Sequence, residues 1–325
     1  MLKSLKFFCL GLCLFLVACT PYMEGAGPVK NVPDLDGDFY VAADGARLPL
    51  RIWKPDGAPK AVLLGVHGFN DYGNFLMPDM PTFLQENGIL LITYDQRGFG
   101  KGPHPGIWAG TDTMVNDLAS LIHLVHSRYE NLPLYVMGES MGGAIVLNTL
   151  AEIKPLPVAG AILSAPAVWG MSTWPWYQKA ALYMFSYSVP WMKLSGGGIV
   201  QPTDALETWK NWSLDPLVIR ATRVDALYGV SQAMERALHN AAKLETPSLV
   251  LYGDKDEVIP RIPTAKMVKN LPSKHRVALY ENGWHWLPRD KNGPLVWKDI
   301  LAWMNDQKAP LPSHMDINAR ARLAP

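Results

Sequence analysis

The chain has 325 residues, 49% hydrophobic and 18% charged, a globular composition with enough apolar material for one extensive core. Its formal net charge is +1, and without Lys3 and Lys6 the 30 Lys and Arg fall to 28 against 29 Asp and Glu, a balance that leaves no footprint for nucleic acid. The three cysteines, Cys9, Cys13 and Cys19, all stand at the N-terminus, so nothing after residue 19 can form an internal disulfide.

Lys3 and Lys6 precede an apolar run from Phe7 to Ala18. The run is shorter than the about 20 residues a membrane span needs, and suits a secretory signal peptide. It ends Leu16-Val17-Ala18-Cys19, which resembles the lipobox of bacterial lipoproteins. The resemblance implies cleavage before Cys19 and acylation of its thiol, with palmitate-type chains holding the protein on a membrane rather than across it. Thr20, where Asp would retain a lipoprotein at the inner membrane, is similar to an outer-membrane sorting signal. The expected place is therefore the bacterial cell envelope, on the outer membrane facing the periplasm if the cell is Gram-negative. Residues 1–18 are then the signal peptide and 19–38, with Gly25, Gly27, Pro28 and Pro33, a flexible lipid-anchored tether. An ordinary signal peptide or an uncleaved anchor are the rival readings.

From Phe39 to Trp53 the pattern predicts a hairpin around Asp44-Gly45. Short apolar runs follow at 61–66, 89–94, 134–137, 158–163, 248–252 and 276–280. Helical stretches alternate with them at 74–86, 113–128, 141–152, 260–270 and 295–305. That alternation predicts an α/β domain over 39–307: a mostly parallel sheet with helices on both faces. The rhythm breaks at about 165–245, where 169–212 holds six of the twelve tryptophans, and an inserted helical cap is expected there. Its aromatic residues either line an acyl-chain channel or simply pack the cap helices together. Residues 308–325, with Pro310 and Pro312 and no apolar periodicity, are a C-terminal tail that wraps the surface or stays disordered.

Gly138-Glu139-Ser140-Met141-Gly142 matches G-x-S-x-G between an apolar run and a helical one, the strand-turn-helix setting of a nucleophile elbow. A serine held on so tight a turn needs small neighbours, which Gly138, Gly142 and Gly143 supply. His67-Gly68-Phe69-Asn70 follows the run at 61–66, so the backbone N–H groups of Phe69 and Met141 are the expected oxyanion donors, with the His67 side chain supporting the loop.

A serine hydroxyl is a weak nucleophile at neutral pH and needs a base oriented by an acid. His285, on the loop after the last apolar run, is the expected base. The acid belongs to Gly253-Asp254-Lys255-Asp256-Glu257, where three carboxylates compete. No His, Asp and Glu set has metal spacing, and neither a metal nor another cofactor is expected.

Together His67-Gly68, Asp95 to Gly100, Gly138 to Gly142, Gly253 to Asp256 and His285 resemble the monoacylglycerol lipase and lysophospholipase group of α/β-hydrolases, often labelled serine aminopeptidase. The resemblance covers about Phe39 to Asn305. It implies the α/β-hydrolase fold, selects Asp256 as the acid through the family's Gly-x-x-Asp pattern, with Asp254 the runner-up, and makes Asp95 to Gly100 scaffolding. It implies a serine esterase that cleaves carboxylic acyl esters, monoacylglycerol or lysophospholipid-like, through an acyl-enzyme. A prolyl-type aminopeptidase remains open, with Asp204, Glu207, Asp215 and Glu235 as candidate amine-binding acids. So do an acyltransferase and a noncatalytic lipid-anchored binding module.

Overall fold

The computed structural model describes residues 20–196 and 200–324. The expected signal peptide and Cys19 lie outside the described residues. Among those described, no helix is long and apolar enough to cross a membrane.

Three antiparallel strands open the fold: β1 (Asp34–Asp36), β2 (Phe39–Val41) and β3 (Arg47–Trp53). The β2-β3 hairpin places Val41 opposite Arg47, and its turn uses Gly45 at φ 84° while Asp44 Oδ1 accepts the Ala46 N–H at 3.1 Å. Then β4 (Ala61–Val66), β5 (Ile89–Tyr94), β6 (Leu134–Glu139), β7 (Gly160–Ser164), β10 (Ser248–Gly253) and β11 (Arg276–Tyr280) run parallel to one another. Strands β4 to β7 and β10 are buried along their whole length, because helices cover both faces, and this is why they read as continuous apolar runs without alternation. A separate pair, β8 (Lys193–Leu194) and β9 (Thr222–Arg223), lies in the insertion.

The nine-stranded order is β1-β2-β3-β5-β4-β6-β7-β10-β11. From β4 the chain goes first to β5 on one side and then to β6 on the other. That reversal opens a crevice beyond the C-terminal ends of β4 and β6, where an open α/β sheet binds its ligands.

Helices α1 (Met80–Glu86), α2 (Thr111–Arg128), α3 (Met141–Glu152), α4 (Trp176–Ser188), α5 (Leu206–Leu214), α6 (Val224–Asn240), α7 (Arg261–Asn270), α8 (Gly293–Asn305) and α9 (Ala319–Leu323) complete the chain. One core joins the sheet to α2, α3, α6 and α7, and a second joins the opposite face to α1 and α8. The helix expected from residue 74 begins only at Met80, since Pro78 disfavours helical geometry at the residue before it.

Two regions differ from the sequence reading, and the tail takes the first of the two forms expected of it. The tether is laid along the body: Glu24 N donates to Trp108 O (2.9 Å), Gly27 N to Asp44 Oδ2 (2.8 Å) and Lys30 N to Ala43 O (2.7 Å). Helix α6, within the expected insertion, packs on α3, where Asn148 Nδ2 donates to Ala233 O, and buries Val230, Ala233 and Ala237 in the main core. The segment that leaves the body is therefore narrower than 165–245. The tail is ordered and docked, with Leu311, Ala319 and Leu323 buried and Ser313 N donating to Asp299 Oδ1 (2.9 Å).

Candidate active site

Ser140 stands between β6 and α3 at φ 54° and ψ −119°, a conformation that costs a non-glycine residue about 1–3 kcal/mol and persists only where the surroundings impose it. They do so here. Ser140 N donates to Ser164 O (3.0 Å), and Ser140 O accepts from Ala144 N and Ala167 N. A Cβ on Gly142 would collide with Val66 O, and one on Gly138 with Gly142 O, so the helix can approach the strand only with glycine at both positions.

The loop after β4 passes directly over the elbow. A Cβ on Gly68 would stand 3.3 Å from Ser140 Cβ. His67 is fully buried and positions this loop: its Nε2 accepts the Gln96 N–H (3.0 Å), so its Nδ1–H is free to donate to Gly68 O (2.8 Å). Burial pushes its pKa down, which keeps the ring neutral and this tautomer in place. No protein acceptor among the described residues takes the N–H of Phe69 or Met141. Asp95, in the turn that ends β5, is likewise structural, accepting from Arg51 Nη1 (2.6 Å), Gly73 N (2.8 Å) and Lys101 N (2.9 Å).

Of the three carboxylates after β10, one meets the histidine. Asp256 Oδ2 lies 2.8 Å from His285 Nδ1, while its Oδ1 accepts from Val258 N (2.8 Å) and Ile259 N (2.9 Å). Asp254 turns away and accepts the Asn282 N–H (2.7 Å), and Glu257 accepts the Gln201 N–H (2.8 Å) at the root of the cap. Burial alone would lower the His285 pKa, but the charge and hydrogen bond of Asp256 outweigh it and hold the pKa above its ordinary value.

The cap is fastened to both sides of this site. On one side Asn70 Nδ2 donates to Thr222 Oγ1 (2.7 Å), Ile219 N to Asn70 O (3.0 Å) and Tyr72 OH to Asp215 Oδ2 (2.6 Å). On the other, Trp286 N donates to Pro202 O (2.9 Å), and Thr203 Oγ1 to Asp290 Oδ1 (2.7 Å). Trp169 and Trp174 pack together at 5.5 Å within the cap, whereas Trp176, Tyr177 and Trp191 are exposed.

Reading the sequence singles out none of Glu139, Asp71 and Arg289, which form a buried ion cluster beside the elbow. The available signal was a carboxylate immediately before the serine and a cation four residues after the histidine. Elsewhere, a groove of about 610 Å³ at the N-terminal ends of β10 and β11 is lined by Lys274, His275, Arg276, Lys308 and Arg320, at the opposite end of the parallel strands from Ser140. Among the described residues no cluster of three or more His, Cys, Asp or Glu is arranged to hold a metal ion.

The family model described as "Serine aminopeptidase, S33" matches residues 57–292. The chain is 27% identical over 286 residues to a monoglyceride lipase of Rattus norvegicus, covering 85% of this chain and 91% of that protein. It is 26% identical over 274 residues to a monoacylglycerol lipase of Mycolicibacterium smegmatis, covering 82% and 95%. Among solved structures, a soluble variant of the monoglyceride lipase of Saccharomyces cerevisiae, in complex with a substrate analog, superposes with TM-score 0.67 at 21% identity, covering 91% of this chain and 99% of that one. The monoacylglycerol lipase of Paleococcus ferrophilus gives 0.64 at 22%, covering 79% and 98%.

Proposed function

Because the chain belongs to the serine aminopeptidase S33 family of α/β-hydrolases, we propose that it is a serine esterase in which Ser140, His285 and Asp256 cleave carboxylic acyl esters through an acyl-enzyme, with monoacylglycerol-like lipids as substrates. The observation that carries this reading is the buried Asp256–His285 pair at the same end of the sheet as the strained Ser140.

In the reaction, His285 Nε2 takes the Ser140 hydroxyl proton as Oγ attacks the ester carbonyl. Asp256, accepting the Nδ1–H, fixes the tautomer and stabilises the imidazolium that forms. The carbonyl oxygen becomes an oxyanion and receives the N–H groups of Phe69 and Met141, each such donor contributing about 2.7–4 kcal/mol to the transition state. His285 then protonates the departing alcohol, and water enters by the reverse proton path to release the acid and restore Ser140.

The family's description names a peptidase, and the relatives are lipases; the cap supports the ester reading. An aminopeptidase binds a substrate ammonium through carboxylates, and three of the candidates already serve structural contacts: Asp215 accepts from Tyr72 OH and Leu217 N, Asp204 from Lys291 N, and Glu235 from Ser172 N. Glu207 is exposed on α5. The exposed rings of Trp176, Tyr177 and Trp191 suit a substrate met at a lipid–water boundary.

Anchoring through Cys19 in a bacterial envelope is part of the same proposal and rests on the Leu16 to Cys19 pattern alone. Mass spectrometry of membrane-extracted protein should find an acylated N-terminal Cys19; an unmodified Cys19 in membrane fractions sinks the anchor and leaves the esterase untouched. For the esterase, a fluorophosphonate probe should label the wild type and not Ser140→Ala. Monoacylglycerol should be hydrolysed faster than any aminoacyl p-nitroanilide. A folded wild type that takes no label would return the chain to a binding role.

A further inference from the structure

Arg289 closes the 3-10 turn Leu287–Arg289, four residues beyond His285, and its guanidinium is buried. Nη1 donates to Asp71 Oδ2 (3.0 Å), on the loop that carries Phe69, and Nη2 donates to Glu139 Oε1, on the residue before Ser140. The same guanidinium lies 3.9 Å from the ring centroid of Trp286, the residue after His285, and Arg289 N donates to Trp286 O (2.7 Å). One side chain thus touches the oxyanion loop, the nucleophile strand and the histidine loop.

We propose that Arg289 is a positioning residue: by spanning Asp71 and Glu139 while stacked on Trp286, it locks the three loops that carry Phe69, Ser140 and His285 into one register. The proposal rests on the esterase reading and adds to it what holds the reacting groups together.

The β4–β6 ladder joins the first two loops at their roots, Val66 opposite Gly138, but among the described residues no other side chain of the histidine loop hydrogen-bonds to both of them. Ser140 and the oxyanion loop meet at Gly68, which has no side chain to bond with, and Asp256 joins His285 only to the acid loop. The cluster is also sparing in its hydrogen bonds: among the described residues Glu139 Oε2 and Arg289 Nε have no partner. A cluster kept only for stability would be served as well by apolar residues of similar volume at all three positions, because buried ion pairs seldom outweigh their desolvation. What an apolar residue lacks is direction. The planar fork of arginine fixes two carboxylates at once, which the single ammonium of a lysine does not. Consistent with this confinement, burial and the neighbouring Asp71 push the Glu139 carboxyl up to about 7 against the opposing pull of Arg289 and His285.

The decisive comparison is kcat against KM on a soluble p-nitrophenyl ester for Arg289→Met and Arg289→Lys, with circular dichroism and thermal melts to establish the folded fraction. A misplacement near 1 Å costs about 100-fold in rate. Arg289→Met, corrected for folded fraction, should therefore lose about that much kcat, with KM within about threefold of wild type and fluorophosphonate labelling of Ser140 slowed in parallel. Arg289→Lys should recover about a tenth of the wild-type rate, since one ion contact survives without the fork.

A folded Arg289→Met with kcat within about threefold of wild type overturns the proposal, as does a loss of rate that merely follows the folded fraction. Should Arg289→Met fail to fold, Arg289→Lys decides alone: a folded lysine variant as fast as wild type refutes the lock. Wild-type labelling at Ser140 with an unaffected Arg289→Met would reject only the lock, whereas an unlabelled wild type would reject the esterase itself.

Discussion

His285 Nδ1 and Asp256 Oδ2 lie 2.8 Å apart with both side chains closed to solvent, and the other carboxylate oxygen of Asp256 is held by two backbone N–H groups. Asp256 can therefore neither rotate away from the imidazole nor be replaced by water. The imidazole is useful as a base only when neutral, so activity should be present above its pKa and fall as the pH drops through it. Asp256 holds that pKa above the ordinary histidine value.

Asp256→Asn should lower kcat by about 10⁴-fold, because an amide stabilises the wrong tautomer and no imidazolium. The acid limb of kcat/KM should move to lower pH, since the charge that raised the His285 pKa is gone. Asp254→Asn should stay within about threefold of wild type, its carboxylate serving only Asn282 N at the surface. Steady-state kinetics on a p-nitrophenyl ester from pH 5 to pH 9 separates the two; equal losses in both variants would displace Asp256 from its role.

Glycine substitutions should separate folding from catalysis. Gly142→Ala places a methyl against Val66 O, inside a rigid strand, and should yield little soluble protein. Gly68→Ala meets Ser140 Cβ at 3.3 Å, a distance the loop can relieve by a few tenths of an ångström. Its melting temperature should hardly move, while a displaced Phe69 N–H should reduce kcat by about 10–100-fold. Unchanged kcat in a folded Gly68→Ala would remove that loop from the oxyanion site.

The sequence makes the parallel part of the sheet legible because β4 to β7 and β10 are buried on both faces, so each reads as an uninterrupted apolar run, and because glycine at 138 and 142 has a steric reason visible in the motif itself. Asp256 could be chosen over Asp254 only by resemblance; their side-chain directions depend on the turn after β10, which residue types do not specify. The Glu139–Arg289–Asp71 cluster escapes notice for a related reason. Its members stand 150 and 218 residues apart in the chain, and a charged residue in isolation reads as exposed. Helix α6 falls inside the stretch where the strand rhythm breaks and so reads as cap, although its small residues Ala233 and Ala237 are what let it lie close against α3.

Arg97 should matter to stability rather than to rate. Its guanidinium joins Asp44 (2.7 Å) at the hairpin turn to Asp117 (2.6 Å) on α2, and all three side chains are buried. Arg97→Met strands two buried carboxylates and should cost about 3–5 kcal/mol. The hydrogen bonds from Arg97 hold the Asp44 pKa below its ordinary value, so the stabilisation from Asp44 is present above its unfolded pKa and is lost as the pH falls through the folded one. The wild-type advantage in urea midpoint should therefore shrink as the pH is lowered from neutral towards 3. A deficit independent of pH would assign the loss to packing instead of charge.

The C-terminal tail offers a stability test remote from the chemistry. Arg320 reaches into the body and donates to four carbonyls, those of Val268 (2.8 Å), Leu271 (3.3 Å), Pro272 (3.0 Å) and His275 (2.9 Å), which fastens α9 across the end of α7 and the start of β11. Burial lowers the Arg320 pKa, yet an arginine remains charged at any working pH, so the carbonyls are held by a permanent cation. Leu323 on the same short helix is fully buried in the main core. A five-residue helix has no stability of its own, so it depends on these anchors. Leu323→Ala should cost about 2–5 kcal/mol through the cavity it leaves. Arg320→Met should cost less, because the freed carbonyls near the surface can turn to water. In both variants kcat per folded molecule should match wild type, since the hydrogen bonds of Arg320 end on Val268, Leu271, Pro272 and His275 and not on Ser140, Asp256 or His285. Urea unfolding followed by tryptophan fluorescence, beside ester hydrolysis at low denaturant, measures both quantities on one sample. A variant that keeps its urea midpoint but loses kcat would mean that the tail reaches the active site by a route its contacts do not reveal.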